Sequence, residues 1–390
     1  MLLDEQEREV QCRRCTREQE EEQMRFALSD EQIEFRDAVR SLLADTCGPD
    51  DIRAAWVDPV LAGGGPGDGN GRVPAAWSAL GEMGVLGITV PESHGGLGMT
   101  DEDLVPLLIE AGRAGLPDPV SATAGVAVSA LRDVIDADDP SGAASPLLDR
   151  IASGEVAIGI AFVSSDGAAA VGESAIAVSP FVAVADSLDV FLMFADGQIH
   201  LVDRADVQLE PVESVDGARQ LSVVSWDGAA STVLLDGPAG VAATAAAFDR
   251  AALGAAAQLV GLSRTMLEMT VLYATERKQF GVAIGTFQAV KHLLTDATLA
   301  VEFAEPLVLR AANSLALVDP DASVHVSMAK AKASVAAKHA AVASLQVHGA
   351  IGYTVEYDLH LYMKRSWALS AEFGDAEFHR RRVRAGVLEV

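Results

Sequence analysis

Apolar residues fall into three successive rhythms along this chain. Over residues 26–43 they recur at helical spacing, with Ile33, Phe35, Val39, Leu42 and Leu43 mostly on one stripe. Ser29 followed by Gln32 reads as the capping box that starts this helix. Residues 58–74 are a Gly/Pro-rich loop, and residues 77–83, 101–114 and 121–136 predict further helices. Between residues 151 and 235 the period shortens. VAIGIAFV, AIAVSPFVAVA, DVFLMFA, IHLVD, SVVSW and STVLL are short, alternating or β-branched runs separated by Gly, Asp and Pro, which predicts a small β-barrel or sandwich. After Gly237–Pro238 the helical period returns and stays. A long helix over 242–275 places Leu253, Ala257, Val260, Leu267 and Val271 near one face, and helices over 287–316, 321–345, 357–369 and 372–388 follow. Long helices with short connections predict a four-helix bundle.

The rhythms divide the chain into an N-terminal all-α domain over 24–150, a β-domain over 151–236 and a helical bundle over 237–390, an α+β multidomain architecture without internal repeats. A length of 390 residues agrees, being too great for one compact core. Residues 1–23 stand apart: dense in acids and arginines, with no apolar face and no signal-peptide core, they read as a disordered tail or a start upstream of Met24. Cys12 and Cys15 form a lone CxxC there, and without a second ligand pair no metal site is expected. Cys47 is the only other cysteine, a scarcity that fits a reducing cytoplasm and excludes a disulfide framework. A formal charge of -27 repels phosphate backbones and anionic bilayers, so neither nucleic acid nor a membrane is expected as partner. No stretch approaches the ~20 apolar residues that span a bilayer.

Four segments then become specific: FALSDEQIEFRDAVRSLL, LGEMGVLGITVPESHGGLGM with the helix ending EAGRAG after it, ERKQFGVAIGTFQAVKHLLTDA, and QVHGAIGYTVEYDLHLYMKR. In this order and spacing, over residues 26–388, the chain resembles the acyl-CoA dehydrogenase family of flavoproteins. The resemblance implies FAD held between subunits, its pyrophosphate and adenine reached by the bundle of a neighbouring chain. Arg277 offers a planar fork suited to phosphate, Gln279 and Gln288 offer amides, and Phe280 and Phe287 offer an apolar wall. Gln346 and Gly349 match the family's adenine-side contact, where a residue without Cβ allows close approach. Read without the resemblance, Arg277 pairs with a carboxylate and the two Phe residues fill core. His348 has the same two readings, nucleotide contact or hydrogen-bonded packing residue. Gly352 and Tyr353 suit the turn between helices.

The implied reaction is α,β-desaturation of an acyl-CoA thioester, for which a carboxylate must reach Cα. The family's two positions for that glutamate fall here on Phe373, followed by Gly374, and on Ala251 within FDRAA, with Ala252 where an arginine commonly follows. Neither Phe373 nor Ala251 accepts a proton. Glu372 is a helical neighbour turned by roughly 100°, and Asp249 points elsewhere on its helix. The stretch that the resemblance puts against the flavin ring is also eroded: its Thr and Gly-Ser pattern is gone, Ser164, Ser165 and Asp166 are the polar groups left to donate or accept there, and Phe181 is the residue left to keep the aromatic place. The residues lent to a neighbour's FAD persist while those needed for this chain's own chemistry have faded. Some actinobacterial enzymes of the family are similar, pairing unlike subunits of which one lacks the base, some of them on steroid side-chain thioesters. Three readings follow. The first is a subunit that works with a paralogous partner; the second is a self-sufficient homo-oligomer using Glu372; the third is a flavin-free scaffold. The resemblance implies a dimer or tetramer and an electron-transferring flavoprotein as acceptor.

Overall fold

The computed structural model describes residues 27–58, 69–139, 141–163, 181–226 and 230–388. Cys12, Cys15, Ser164, Ser165 and Asp166 lie outside the described residues, as do residues 59–68 of the Gly/Pro-rich loop. Helix α1 (Asp30–Thr46) starts where the capping box placed it. The Gln32 N–H donates to Ser29 Oγ at 3.1 Å, and the Ser29 N–H donates to Gln32 Oε1 at 3.0 Å. Helices α2 (Pro49–Ala54), α3 (Pro74–Glu82) and α4 (Asp101–Ala114) follow. A π-helical stretch over Ser121–Ala127 leads into α5 (Val128–Asp136), and α6 (Ala144–Ala152) closes the N-terminal helices.

The middle of the chain is two small sheets. Strands β1 (Ile158–Val163), β3 (Val190–Ala195), β4 (Gln198–Asp203) and β7 (Thr232–Leu235) form one in the order β1-β3-β4-β7. Strands β2 (Phe181–Val182), β5 (Val207–Pro211) and β6 (Ser222–Trp226) form the other in the order β2-β6-β5. β1 and β3 run parallel, Ile158 opposite Val190; the other pairs are antiparallel. Phe191, Met193, Val202 and Val224 fill the space between the sheets. The opposite face of the larger sheet packs Ile160, Leu192 and Phe194 against α5, α6 and the start of the next helix.

That helix, α7 (Gly237–Glu276), is 40 residues long and is the axis of the molecule. It ends in a two-stranded hairpin, β8 (Lys278–Gln279) and β9 (Val282–Ala283), and α8 (Gln288–Glu302), α9 (Glu305–Ala316), α10 (Ala322–His348), α11 (Leu359–Ala371) and α12 (Ala376–Leu388) complete the bundle. The helix expected over 287–316 is two helices. Pro306, at the start of α9, has no N–H to give the preceding turn, so the chain breaks at Phe303–Ala304 and restarts. The N-terminal helices and the bundle share one core, from Val39 and Leu108 to Leu259 and Ala336. α4 crosses α7 so closely that a Cβ on Gly112 would lie 2.2 Å from the Gln258 carbonyl, and one on Gly261 1.9 Å from that of Ile109. Only glycine permits this contact. No described helix is long and apolar enough to cross a membrane.

Candidate functional site

A cleft opens where the three parts of the chain meet, with about 680 Å³ of empty volume including its mouth. The turn between α4 and α5, strands β1 and β2, the first half of α7, the end of α11 and the connection to α12 line it. Ala251 and Phe373, the two positions where the resemblance puts a base, face this one cleft although 122 residues separate them. Both are apolar. Ala251 is buried, and the Phe373 ring meets Phe162 and Phe248 edge-on at 6.1 and 6.5 Å. Phe181, expected to keep an aromatic place, also lines the cleft.

The charged groups of the cleft are all engaged inside the protomer. Arg219 pairs with Glu372. Arg365 Nε donates to Asp216 at 3.0 Å, and its Nη1 donates to the Leu116 carbonyl at 2.5 Å. Asp118 pairs with Arg72 and accepts the Val73 N–H at 2.8 Å. Burial pushes the Asp118 carboxyl above its usual range, against the pull of Arg72. Sequence reasoning missed Asp118, Asp216, Arg219 and Arg365. Asp118, Asp216 and Arg219 sit in turns without any motif, Arg365 ends the fourth of the specific segments without standing out in it, and only the fold assembles them.

One expectation about the alternative carboxylates changes. Glu372 is not on a helix with Phe373: it is the extended residue that ends α11, and Phe373 and Gly374 follow with φ of 51° and 94°. The 100° argument fails because these residues form a turn. Glu372 does reach the cleft, where Arg219 holds it. Asp249 is buried but accepts from Arg382 of α12 at 2.8 Å, which occupies it as a structural pair.

The seven expected cofactor residues gather at the other end of the bundle. Arg277 ends α7, and its guanidinium has no ion pair or hydrogen bond among the described residues. Gln279 and Phe280 lie in the β8–β9 hairpin, where the Gln279 side chain donates only to the Lys278 carbonyl at 2.9 Å. Phe280 is 93% exposed and meets the exposed Phe287 edge-on at 6.2 Å. Gln288 and Gln346 are exposed. Gly349 has φ 63° and ψ -137°, with nothing within 4 Å of where a Cβ would stand. His348 ties these pieces together as a packing residue. Its ring stacks on Tyr273 at 4.4 Å, its Nδ1 donates to the Ser344 carbonyl at 2.7 Å, and its Nε2 accepts from Tyr357 at 3.1 Å. Burial holds it below the usual histidine range and so neutral. Gly352 and Tyr353 belong to the 3₁₀ turn that follows.

The two groups cannot serve one nucleotide within a protomer. From Ala251 to Arg277 along α7 is about 39 Å at 1.5 Å per residue. The far end nevertheless suits a dinucleotide: an unspent guanidinium, three exposed amides, an aromatic pair and a glycine open to close approach. That donor set fits the diphosphate and adenine parts of FAD, the group the resemblance implies.

Comparison with known proteins bears on the family and the fold. Residues 29–137 match the family model described as acyl-CoA dehydrogenase, N-terminal domain, and residues 239–388 match acyl-CoA dehydrogenase, C-terminal domain. The chain is 34% identical over 371 residues to acyl-CoA dehydrogenase FadE34 of Mycobacterium tuberculosis, covering 92% of this chain but only 48% of FadE34. It is 30% identical over 333 residues to acyl-CoA dehydrogenase IpdE2 of the same organism, covering 85% of this chain and 89% of IpdE2. Its fold is similar to that of a variant of the Tcur3481-Tcur3483 steroid ACAD, with TM-score 0.76, 23% identity and coverage of 92% and 98% of the two chains. It is equally similar to the ChsE4-ChsE5 complex of Mycobacterium tuberculosis, with TM-score 0.76, 20% identity and coverage of 94% and 100%.

Proposed function

The chain belongs to the acyl-CoA dehydrogenase family, and from this we propose that it is one subunit of a FAD-dependent enzyme that desaturates an acyl-CoA thioester, lending nucleotide contacts to a neighbour while its own cleft has lost the base. One observation carries this reading: the exposed donor set around Arg277 and Gln346 lies about 39 Å along α7 from the cleft that contains both base positions. Bound FAD would supply the acceptor for the hydride that leaves Cβ. Arg277 would neutralise the pyrophosphate, Gln279, Gln288 and Gln346 would donate amide hydrogens, Phe280 and Phe287 would shield the nucleotide, and Gly349 would admit it closely. In the cleft, Ala251 and Phe373 exclude water and shape the acyl side but remove no proton, and Glu372 is engaged by Arg219. The α-proton then falls to a carboxylate of a paralogous subunit. The two-component names of the similar Tcur3481-Tcur3483 and ChsE4-ChsE5 structures support a heteromer. The acyl group belongs to fatty acid or steroid side-chain catabolism, and an electron-transferring flavoprotein is the acceptor, in the cytoplasm.

The presence of Glu372 in the cleft favours a second reading, a homo-oligomer that uses it as base. Expression separates the two. The chain alone is expected to be colourless and inactive with an acyl-CoA and a dye acceptor, and to acquire flavin absorbance and activity with a paralogue that carries a glutamate at either position. A yellow, active homo-oligomer would sink the proposal.

A further inference from the structure

Behind the cleft wall sits an amine that the proposed reaction does not use. Lys330, on α10, is completely buried at 0% exposure. Its Nζ donates to the Ser370 and Gly374 carbonyls at 3.1 and 3.0 Å and lies 3.4 Å from Ser334 Oγ. His379, on α12 and also buried, donates from Nε2 to the Phe373 carbonyl at 2.9 Å, and its Nδ1 accepts from Ser327 Oγ at 3.2 Å. Two side chains from two helices therefore take up three carbonyls of one short turn. Ser370 is in the last turn of α11, where carbonyls lack helical partners and a cation is favoured. The same turn holds Phe373 at φ 51°, a conformation that a bulky residue keeps only when its surroundings over-determine it.

We propose that Lys330, supported by His379, is a positioning residue for the cleft: by gripping the turn's carbonyls from behind, it holds Phe373 and Glu372 in the wall that faces the acyl group. The reading of the cleft as the acyl site comes from the proposed function; the grip on the turn does not depend on it. Glu372 and Asp375 from the turn, Arg219 from the loop before β6, and His379 from α12 are the charged or titratable groups around this amine, and Arg382 acts on His379. Burial brings Lys330 down to about 7, with the two carboxylates pulling it up and Arg219 down. The grip survives titration. The ammonium donates to all three oxygens; the neutral amine donates to the two carbonyls and accepts from the Ser334 hydroxyl.

Fluorine NMR of the full-length chain tests this, with para-fluorophenylalanine at position 373 and, in a separate sample, at Phe191 in the core between the sheets. Lys330→Met is expected to displace or split the Phe373 resonance by more than its line width and to leave Phe191 in place; His379→Leu should give a smaller displacement of Phe373 alone. A Phe373 resonance that stays put while the melting temperature falls would mean that Lys330 only stabilises the bundle, and the proposal would be overturned. Equal movement at Phe191 would overturn it too. Should Lys330→Met not fold, His379→Leu decides by the same criteria. Failure to acquire flavin together with a paralogous subunit would refute the proposed function without altering either spectrum.

Discussion

The two ends of α7 treat their polar groups in opposite ways. At the cleft, Arg219, Arg365 and Asp118 are buried and each is matched to a partner of the same chain, and the two positions where the resemblance puts a base are an alanine and a phenylalanine. At the hairpin end, Arg277, Gln288 and Gln346 are exposed, and a phenylalanine stands 93% in solvent. Buried charges without partners are costly, so the charges of the cleft wall pair with one another. Exposed donors carry no such demand and stay available to another molecule. Chemistry spent within the protomer and chemistry offered outward are thus separated along one helix.

The largest test of this contrast removes a partner at the closed end. Asp216→Ala leaves Arg365 buried without its carboxylate, and stability should fall by about 3–5 kcal/mol, measured by urea denaturation. A loss below about 1 kcal/mol would show that Arg365 finds water or another acceptor and that the cleft is less self-contained than its geometry indicates.

Acid probes the same end. Burial, with Lys330 and Arg382 nearby, lowers His379 from 6.5 to about 3, so the folded chain keeps it neutral where the unfolded chain takes up a proton. The resulting stability is complete above about 6.5 and is lost as pH falls toward about 3. Thermal melts over that window should drop, and His379→Gln, which cannot be protonated, should flatten the slope. An equal slope in the variant would assign the acid loss to other groups.

At the open end, Arg277→Ala should weaken flavin retention in the assembly about ten- to a hundredfold, the loss of one charge-assisted phosphate contact. Flavin content after gel filtration reads this directly, and an unchanged ratio would make Arg277 a surface residue only. Phe280→Ser should be the mildest, with isolated-chain stability unchanged within about 0.5 kcal/mol and subunit association weakened in sedimentation. A large fall in the melting temperature of the lone protomer would show that the ring already packs at home.

Much of this was legible from residue order. The Ser29–Gln32 box placed the start of α1, period-2 runs located the sheets, and the emptiness of positions 251 and 373 followed from two side chains that carry no acid. Where the reading failed, long-range structure had intervened. Helical continuity through Glu372 was a local inference, overturned by a turn that Lys330, 40 to 44 residues earlier, holds in place. The break at Phe303 was visible only as Pro306, a residue equally at home in a first helical turn.

Local periodicity, caps and composition therefore determined the elements and their order, because those depend on neighbours within a few residues. Which charges would be consumed internally was decided only in three dimensions. Arg219 and Arg277 are the same residue type with the same intrinsic reach. One meets Glu372, 153 positions away, and is buried with it; the other ends a helix in open solvent. A pairing at that separation is set by how helices and sheets pack, and no short-range pattern encodes it.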